Sequence, residues 1–226
     1  MDYTLDDFLT ELRDYRRDGI FNPWGESDTH HDIGDEAPRI RLDHLRRYLR
    51  ERLEAPYLLI AEALGYQGGH FSGIAMTSER QMIADNSFIP EIIEGVKKRT
   101  SDPAKLDKPT LIAQGFTEPT GTIVWKTLRG LMDTREWINW NSYPFHPYII
   151  DDGLLTNRAP TDEEQREGIE FTRKFLSLFK NRKIISIGRI SEEILTALDM
   201  PHTHVRHPAN GGATKFKNQV TSFIKG

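Results

Sequence analysis

The sequence predicts an α/β protein: a three-layer α/β/α sandwich around a short central parallel sheet of about four strands. Three observations carry this reading. Four short runs, PYLLIAEAL (56–64), EWINWNSYP (136–144), KIISIG (183–188) and HTHVRHP (202–208), stand apart along the chain. The first three are apolar without strict alternation, as strands covered on both faces are. Between the runs lie stretches of helical period, and strands alternating with helices favour parallel pairing with right-handed crossovers.

Each element follows in order. Residues 6–17 read as an amphipathic helix stopped by Asp18 and Gly19, and residues 21–38 follow as a long, polar, turn-rich loop. A connection of that length without structure of its own is often functional. In residues 39–54, Leu42, Leu45, Leu49 and Leu53 recur at helical spacing with arginines between them, so a basic amphipathic helix is expected, its arginines forming a solvated face or, alternatively, a DNA contact. Further helices are predicted over 120–132, 161–180, 191–199 and 214–225; the second of these four, starting TDEE, has the form of a capping box. No repeat, low-complexity tract or interdomain linker stands out. One domain over residues 1–226 is expected, with 1–38 as an N-terminal helix and loop extension.

Composition sets limits. The chain of 226 residues is 37% hydrophobic and 28% charged, as ordinary globular proteins are. A net charge of -4 decides little, because nucleic-acid binding needs only a local basic surface. There is no cysteine, which excludes disulfides, zinc–thiolate sites and cysteine-ligated iron–sulfur clusters. No segment approaches the roughly 18 apolar residues of a membrane span, and a cytoplasmic protein is expected.

In parallel sheets ligands collect at the carboxyl ends of the strands. The loops there read AEALGYQGG, NSYPFHP, GRIS and HPANGGATKF, and between them they carry a glutamate, asparagines and histidines. A polar site at that edge is expected.

These loops resemble, in order, those of the uracil-DNA glycosylase superfamily. AEALG (61–65) is similar to that superfamily's Gly-Glu-Ala-Pro-Gly loop, SGIAMTSE (72–79) to its Gly-x-Pro-Phe turn, WNSYPFHP (140–147) to its base-recognition strand end, and HPANGG (207–212) to its His-Pro motif. The chain resembles a divergent, cluster-free member of the Gly-Glu-Ala-Pro-Gly branch. It departs from the pattern at Ala63, where many superfamily enzymes carry a water-activating Asp or Asn, at Leu64 for proline, and at Ala75-Met76 for Pro-Phe.

The resemblance implies a monofunctional, monomeric enzyme that hydrolyses the N-glycosidic bond of uracil, or of a related deaminated base, in DNA without cofactor or metal. His207 would donate a hydrogen bond to the leaving base and Glu62 would orient or activate water. Asn141 would read the base through its amide, which both donates and accepts. Met76 would pack on the base, with Tyr66, Ala63 and Gly65 around it. Thr77, Ser78, Asn210, Gly211, Gly212 and Lys215 would touch DNA. Small residues after the His-Pro, where relatives present a bulky wedge, imply a preference for single-stranded or mismatched uracil.

Each residue also has a structural explanation. His207 can shape a turn, Asn141 can cap one while Asn139 reads the base, and Glu62 can sit in an ion pair. Two other functions compete. The softened loops suit a protein that binds DNA or a base without cutting it. Histidines at 30 and 31 with Asp32, or at 202, 204 and 207, suggest a metal site. A nucleotide-binding domain is disfavoured by the absence of GxxxxGK[ST] and GxGxxG.

Overall fold

The structure, a computed structural model, describes residues 3–83 and 92–226. In chain order its elements are α1 (Leu5–Asp14), β1 (Ile20–Phe21), α2 (Ala37–Arg50), β2 (Tyr57–Ala63), α3 (Gly69–Ser72), α4 (Glu79–Ile83), α5 (Pro109–Gln114), α6 (Pro119–Arg129), β3 (Trp137–Tyr143), β4 (His146–Pro147), α7 (Asp162–Leu178), β5 (Lys183–Ile187), α8 (Arg189–Ala197), β6 (Thr203–Val205) and α9 (Ala213–Lys225). The four expected strands form one parallel sheet in the order β3-β2-β5-β6. A second, antiparallel pair joins β1 to β4, setting Ile20 beside Pro147 and Phe21 beside His146. Two residues per strand leave no period for sequence reading to detect.

Register and side-chain alternation assign the two faces of the sheet. Ile60 lies beside Trp140. On that face Trp140 stacks on Phe175 of α7, centroids 4.3 Å apart at 5°, and meets Phe8 of α1 at 5.6 Å. Leu59, Ala61, Trp137, Asn139 and Asn141 belong to the other face, where Trp137 packs on Trp125 of α6 at 4.9 Å. The helix α9 contacts both α6 and β6. Helices thus cover both faces of the sheet.

β3 is an edge strand that is buried along its whole length. An unpaired edge exposes backbone donors. Here the Tyr48 hydroxyl of α2 accepts the Asn139 N–H at 2.8 Å, and Tyr48 is fully buried. The loop before α2 is anchored inward at Asn22, Asp28 and Asp32, which are all buried. Asn22 donates to the carbonyls of Leu12 and Tyr15, which ties off α1 at Asp14, earlier than the expected Arg17. The turn at Gly19, with φ +72°, comes after that end.

The arginine row of α2 is only in part the solvated face expected: Arg39 and Arg50 are exposed, and others turn inward. Arg41 is fully buried and grips Asp32 with two bonds, Nη1 to Oδ1 at 2.7 Å and Nη2 to Oδ2 at 2.9 Å. Arg52, just past the helix, is buried against the Thr134 carbonyl. Arg47 bonds the Glu94 and Val96 carbonyls, and Arg46 and Arg50 hold Asp6 of α1. Pattern finds the apolar stripe of such a helix; it does not reveal acceptors contributed by distant segments.

Among the described residues no helix is long and apolar enough to cross a membrane.

Removing one partner of a buried ion pair strands the other charge, at a cost of about 3–5 kcal/mol. Arg41→Met should lower unfolding stability by about that amount in urea titration, and Arg41→Met with Asp32→Leu should recover most of it. Additive losses in the double variant would contradict the pairing.

Candidate active site

At the carboxyl edge of the sheet a cleft of about 250 Å³ is lined by Ala61, Glu62, Ala63, Leu64, Gly65, Met76, Glu118, Thr120, Asn141, Asn157, Arg158, Ala159 and His207. Six expected site residues therefore meet there: Glu62, Ala63, Gly65, Met76, Asn141 and His207. They come from the end of β2, the loop after it, β3 and the loop after β6.

Asn141 is buried, and its Oδ1 has no hydrogen-bond partner among the described residues. The register sets it beside Ala61, whose methyl leaves room on that face. Asn139, the competing residue, shares the face but does not line the cleft. His207 accepts the Ala209 N–H at its Nδ1 at 3.1 Å, so the neutral ring carries its proton on Nε2. Burial, helped by the charge of Arg206, lowers the His207 pKa and favours that neutral form. Gly188 and Gly212 fit closely around it: a Cβ at 188 would lie 3.3 Å from the His207 Cβ, and one at 212 would strike the His207 carbonyl at 2.0 Å.

Met76 is buried with φ +50°, an uncommon conformation for a side chain with a Cβ. Its carbonyl lies against α6, where a Cβ at Gly121 would approach it to 2.3 Å. Glu62 alternates to the face opposite Asn141; burial raises its pKa and Arg189 of α8 draws it back.

Several residues stand elsewhere. Thr77 and Ser78 are fully buried, with Thr77 Oγ1 accepting from Trp125 Nε1 and Ser78 Oγ donating to Gln81 Oε1, so their hydroxyls brace the loop and do not reach phosphates. Tyr66 lies outside the cleft lining, its ring edge-on to Phe116. Asn210, Gly211 and Lys215 form an exposed tip beside His207, while Gly212 is buried beneath it.

Sequence reading missed Glu118, Thr120, Asn157, Arg158 and Ala159. The dipeptide Glu118-Pro119 was a legible helix start, but nothing marked its carboxylate as internal. Glu118 Oε2 has no solvent contact and no partner among the described residues, and burial raises its pKa to about 7.

Behind the cleft runs a buried chain. The Asp28 Oδ2 meets His70 Nε2 at 3.2 Å, His70 Nδ1 meets His146 Nδ1 at 3.0 Å, and His146 Nε2 meets the Thr156 carbonyl at 2.7 Å. Both rings are fully buried, and Phe21 stacks on His70 at 4.0 Å. The His146 ring also bonds the side chain of Asn157, whose Oδ1 accepts the Tyr66 N–H at 3.0 Å. The chain thus fixes one wall of the cleft.

A carbonyl and a carboxylate only accept, so the three contacts need three hydrogens. Two neutral imidazoles bring two. The chain closes when it holds one more proton, which makes His70 cationic beside an ionised Asp28. Burial opposes charge at both groups, but hydrogen bonds from His31 and His70 hold the Asp28 carboxyl well below its usual range. At His70 burial outweighs the pull of Asp28 and lowers the pKa to about 3, in opposition to the hydrogen count, which requires the extra proton.

The histidines proposed as metal ligands are otherwise engaged. His31 bonds Asp28, Asp32 bonds Arg41, and His202 bonds the Met200 carbonyl. Among the described residues no group of three or more His, Cys, Asp or Glu is placed to hold a metal ion.

No protein-family model matches the chain, and no curated protein sequence does. Its fold is similar to a solved structure described as wild-type Pedobacter heparinus SMUG2, with TM-score 0.64 and 14% identity over 97% of this chain and 96% of that one.

The hydrogen count predicts that at pH 7 both ring nitrogens of His70 carry protons, seen in ¹⁵N chemical shifts; one bare nitrogen would contradict it. Asp28→Asn should cost about 3–5 kcal/mol of stability, as loss of a buried charge partner does.

Proposed function

We propose that the chain is a monofunctional DNA glycosylase that hydrolyses the N-glycosidic bond of uracil, or of a related deaminated base, and leaves an abasic site. The observation that carries this reading is the meeting of Asn141, Met76 and His207, from three separate segments, in one small cleft at the carboxyl edge of the sheet. The ordered loop resemblance to the uracil-DNA glycosylase superfamily and the fold likeness to a SMUG2 structure agree with it.

The bond to uracil breaks as the sugar gains cationic character and the base gains negative charge. His207, neutral with its proton on Nε2, donates to the developing anion; preorganised donors of this kind are worth about 3–4 kcal/mol. The unpartnered Asn141 amide reads the base edge, since an amide offers donor and acceptor together. Met76 packs on the base face through its thioether. Glu62, at the rim, contributes negative charge that favours the cationic sugar.

A base inside a duplex cannot reach such a cleft without leaving the stack, at a cost of a few kcal/mol. The exposed tip of Asn210, Gly211 and Lys215 is the DNA contact in this reading. The residues right after His207-Pro208, Ala209 to Gly212, are too small to wedge base pairs apart, so single-stranded or mismatched uracil is the preferred substrate. The enzyme acts as a monomer without cofactor.

The test is base release from a labelled single-stranded oligonucleotide carrying one uracil, read by strand scission after alkali. Wild type should give scission, stronger on this substrate than on a U:A duplex. His207→Ala and Asn141→Ala should each slow release about 10²–10³-fold with a thermal midpoint within about 2 °C of wild type. A large fall in midpoint with specific activity retained would make both residues structural.

A further inference from the structure

We propose that Glu118 is the general base of this reaction, its carboxylate held in the cleft to take a proton from the attacking water. The assignment rests on the glycosylase reading and adds the group that the first loop lacks. On β2 the residues of that face nearest Asn141, Ala61 and Ala63, present only methyls, and Glu62, which also lines the cleft, alternates to the opposite face. Glu118 reaches the same cleft from another element.

Its placement is built. Glu118 is the N-cap of α6, yet its carboxylate makes no capping bond to the helix amides. Its backbone carbonyl is held by the Thr122 N–H and the Thr122 hydroxyl, each at 2.9 Å, so the side chain starts from a fixed point. Two glycines make its slot. A Cβ at Gly68 would lie 2.1 Å from Oε2, and one at Gly121 would lie 3.1 Å from it. Oε2 is sealed in this slot with neither solvent contact nor a protein partner among the described residues, so the carboxylate stays unsatisfied where Glu118 lines the cleft, and its other oxygen is the one left to meet water there. Burial brings the carboxyl to about 7, the range in which a base works at neutral pH.

The step balances. The water oxygen bonds to the sugar C1′ as the C1′–N bond breaks, and the electron pair of that bond leaves with the base, which His207 Nε2–H stabilises. The water proton passes to Glu118 and then to solvent, and the base takes a proton from solvent on release.

The experiment compares wild type, Glu118→Gln and Glu118→Ala on the single-stranded uracil oligonucleotide. It uses single-turnover rates from about pH 5 to about pH 9, with affinity for a 2′-fluoro-2′-deoxyuridine oligonucleotide measured by anisotropy. Wild-type rate should rise with pH through about 7, as the carboxylate ionises. Glu118→Gln should lose that limb and about 10²–10³-fold in rate, typical of a lost general base, while affinity stays within about threefold. Glu118→Ala should match it. On an active wild type, a Glu118→Gln rate within about fivefold, with the limb kept, overturns this assignment alone. A wild type that releases no base overturns the glycosylase reading and the assignment together.

Discussion

The structure depends most on the hydrogen-bonded chain that runs from Asp28 through His70 and His146 to residues 156–157. It joins four segments distant in sequence: the N-terminal loop, the short helix α3, the β4 strand and the approach to α7. Unmade hydrogen bonds in a dry interior cost about 1–3 kcal/mol each, more for charged groups. Each segment is therefore held by the others. Asp28 stands in turn beside the buried Arg41–Asp32 pair, with its own N–H bonded to Asp32 at 2.8 Å. Polar groups that pattern reading assigned to a loose extension are the frame of the cleft.

That frame gives the cleft its chemistry. Walls that cannot relax keep Asn141 Oδ1 and Glu118 Oε2 without protein partners, and an unsatisfied polar atom is stable only where its surroundings overdetermine it. Two carboxylates border the cleft in different surroundings: Glu62 has Arg189 to draw its pKa back, and Glu118 has no such charge. Environments that push two acids apart are a common way to divide labour between them.

The fold was legible because burial on both faces writes itself into composition. Runs such as 56–64 and 183–188 show it without ambiguity, and the sheet has the expected four parallel strands. Within the cleft, parallel-strand geometry marked the edge, and Glu62, Asn141 and His207 were found there through the resemblance of the loops to those of the uracil-DNA glycosylase superfamily. What escaped was set by tertiary partners. Glu118 and Asn157 lie on segments whose local pattern is an ordinary helix start and an ordinary loop. Thr77 and Ser78 read as surface hydroxyls, yet Trp125 and Gln81 consume them. Arg41, Arg47 and Arg52 looked solvated because their acceptors are carbonyls and a carboxylate supplied from elsewhere in the chain.

The central claim is that this cleft receives an extruded base, and the most direct measurement is a crystal structure of the protein with a single-stranded oligonucleotide containing one 2′-fluoro-2′-deoxyuridine. The account predicts the uracil seated between Met76 and the Asn141 amide, with His207 Nε2 within hydrogen-bond distance of a ring carbonyl oxygen. Uracil left in solvent, or held on another surface with the cleft closed to it, would contradict the account.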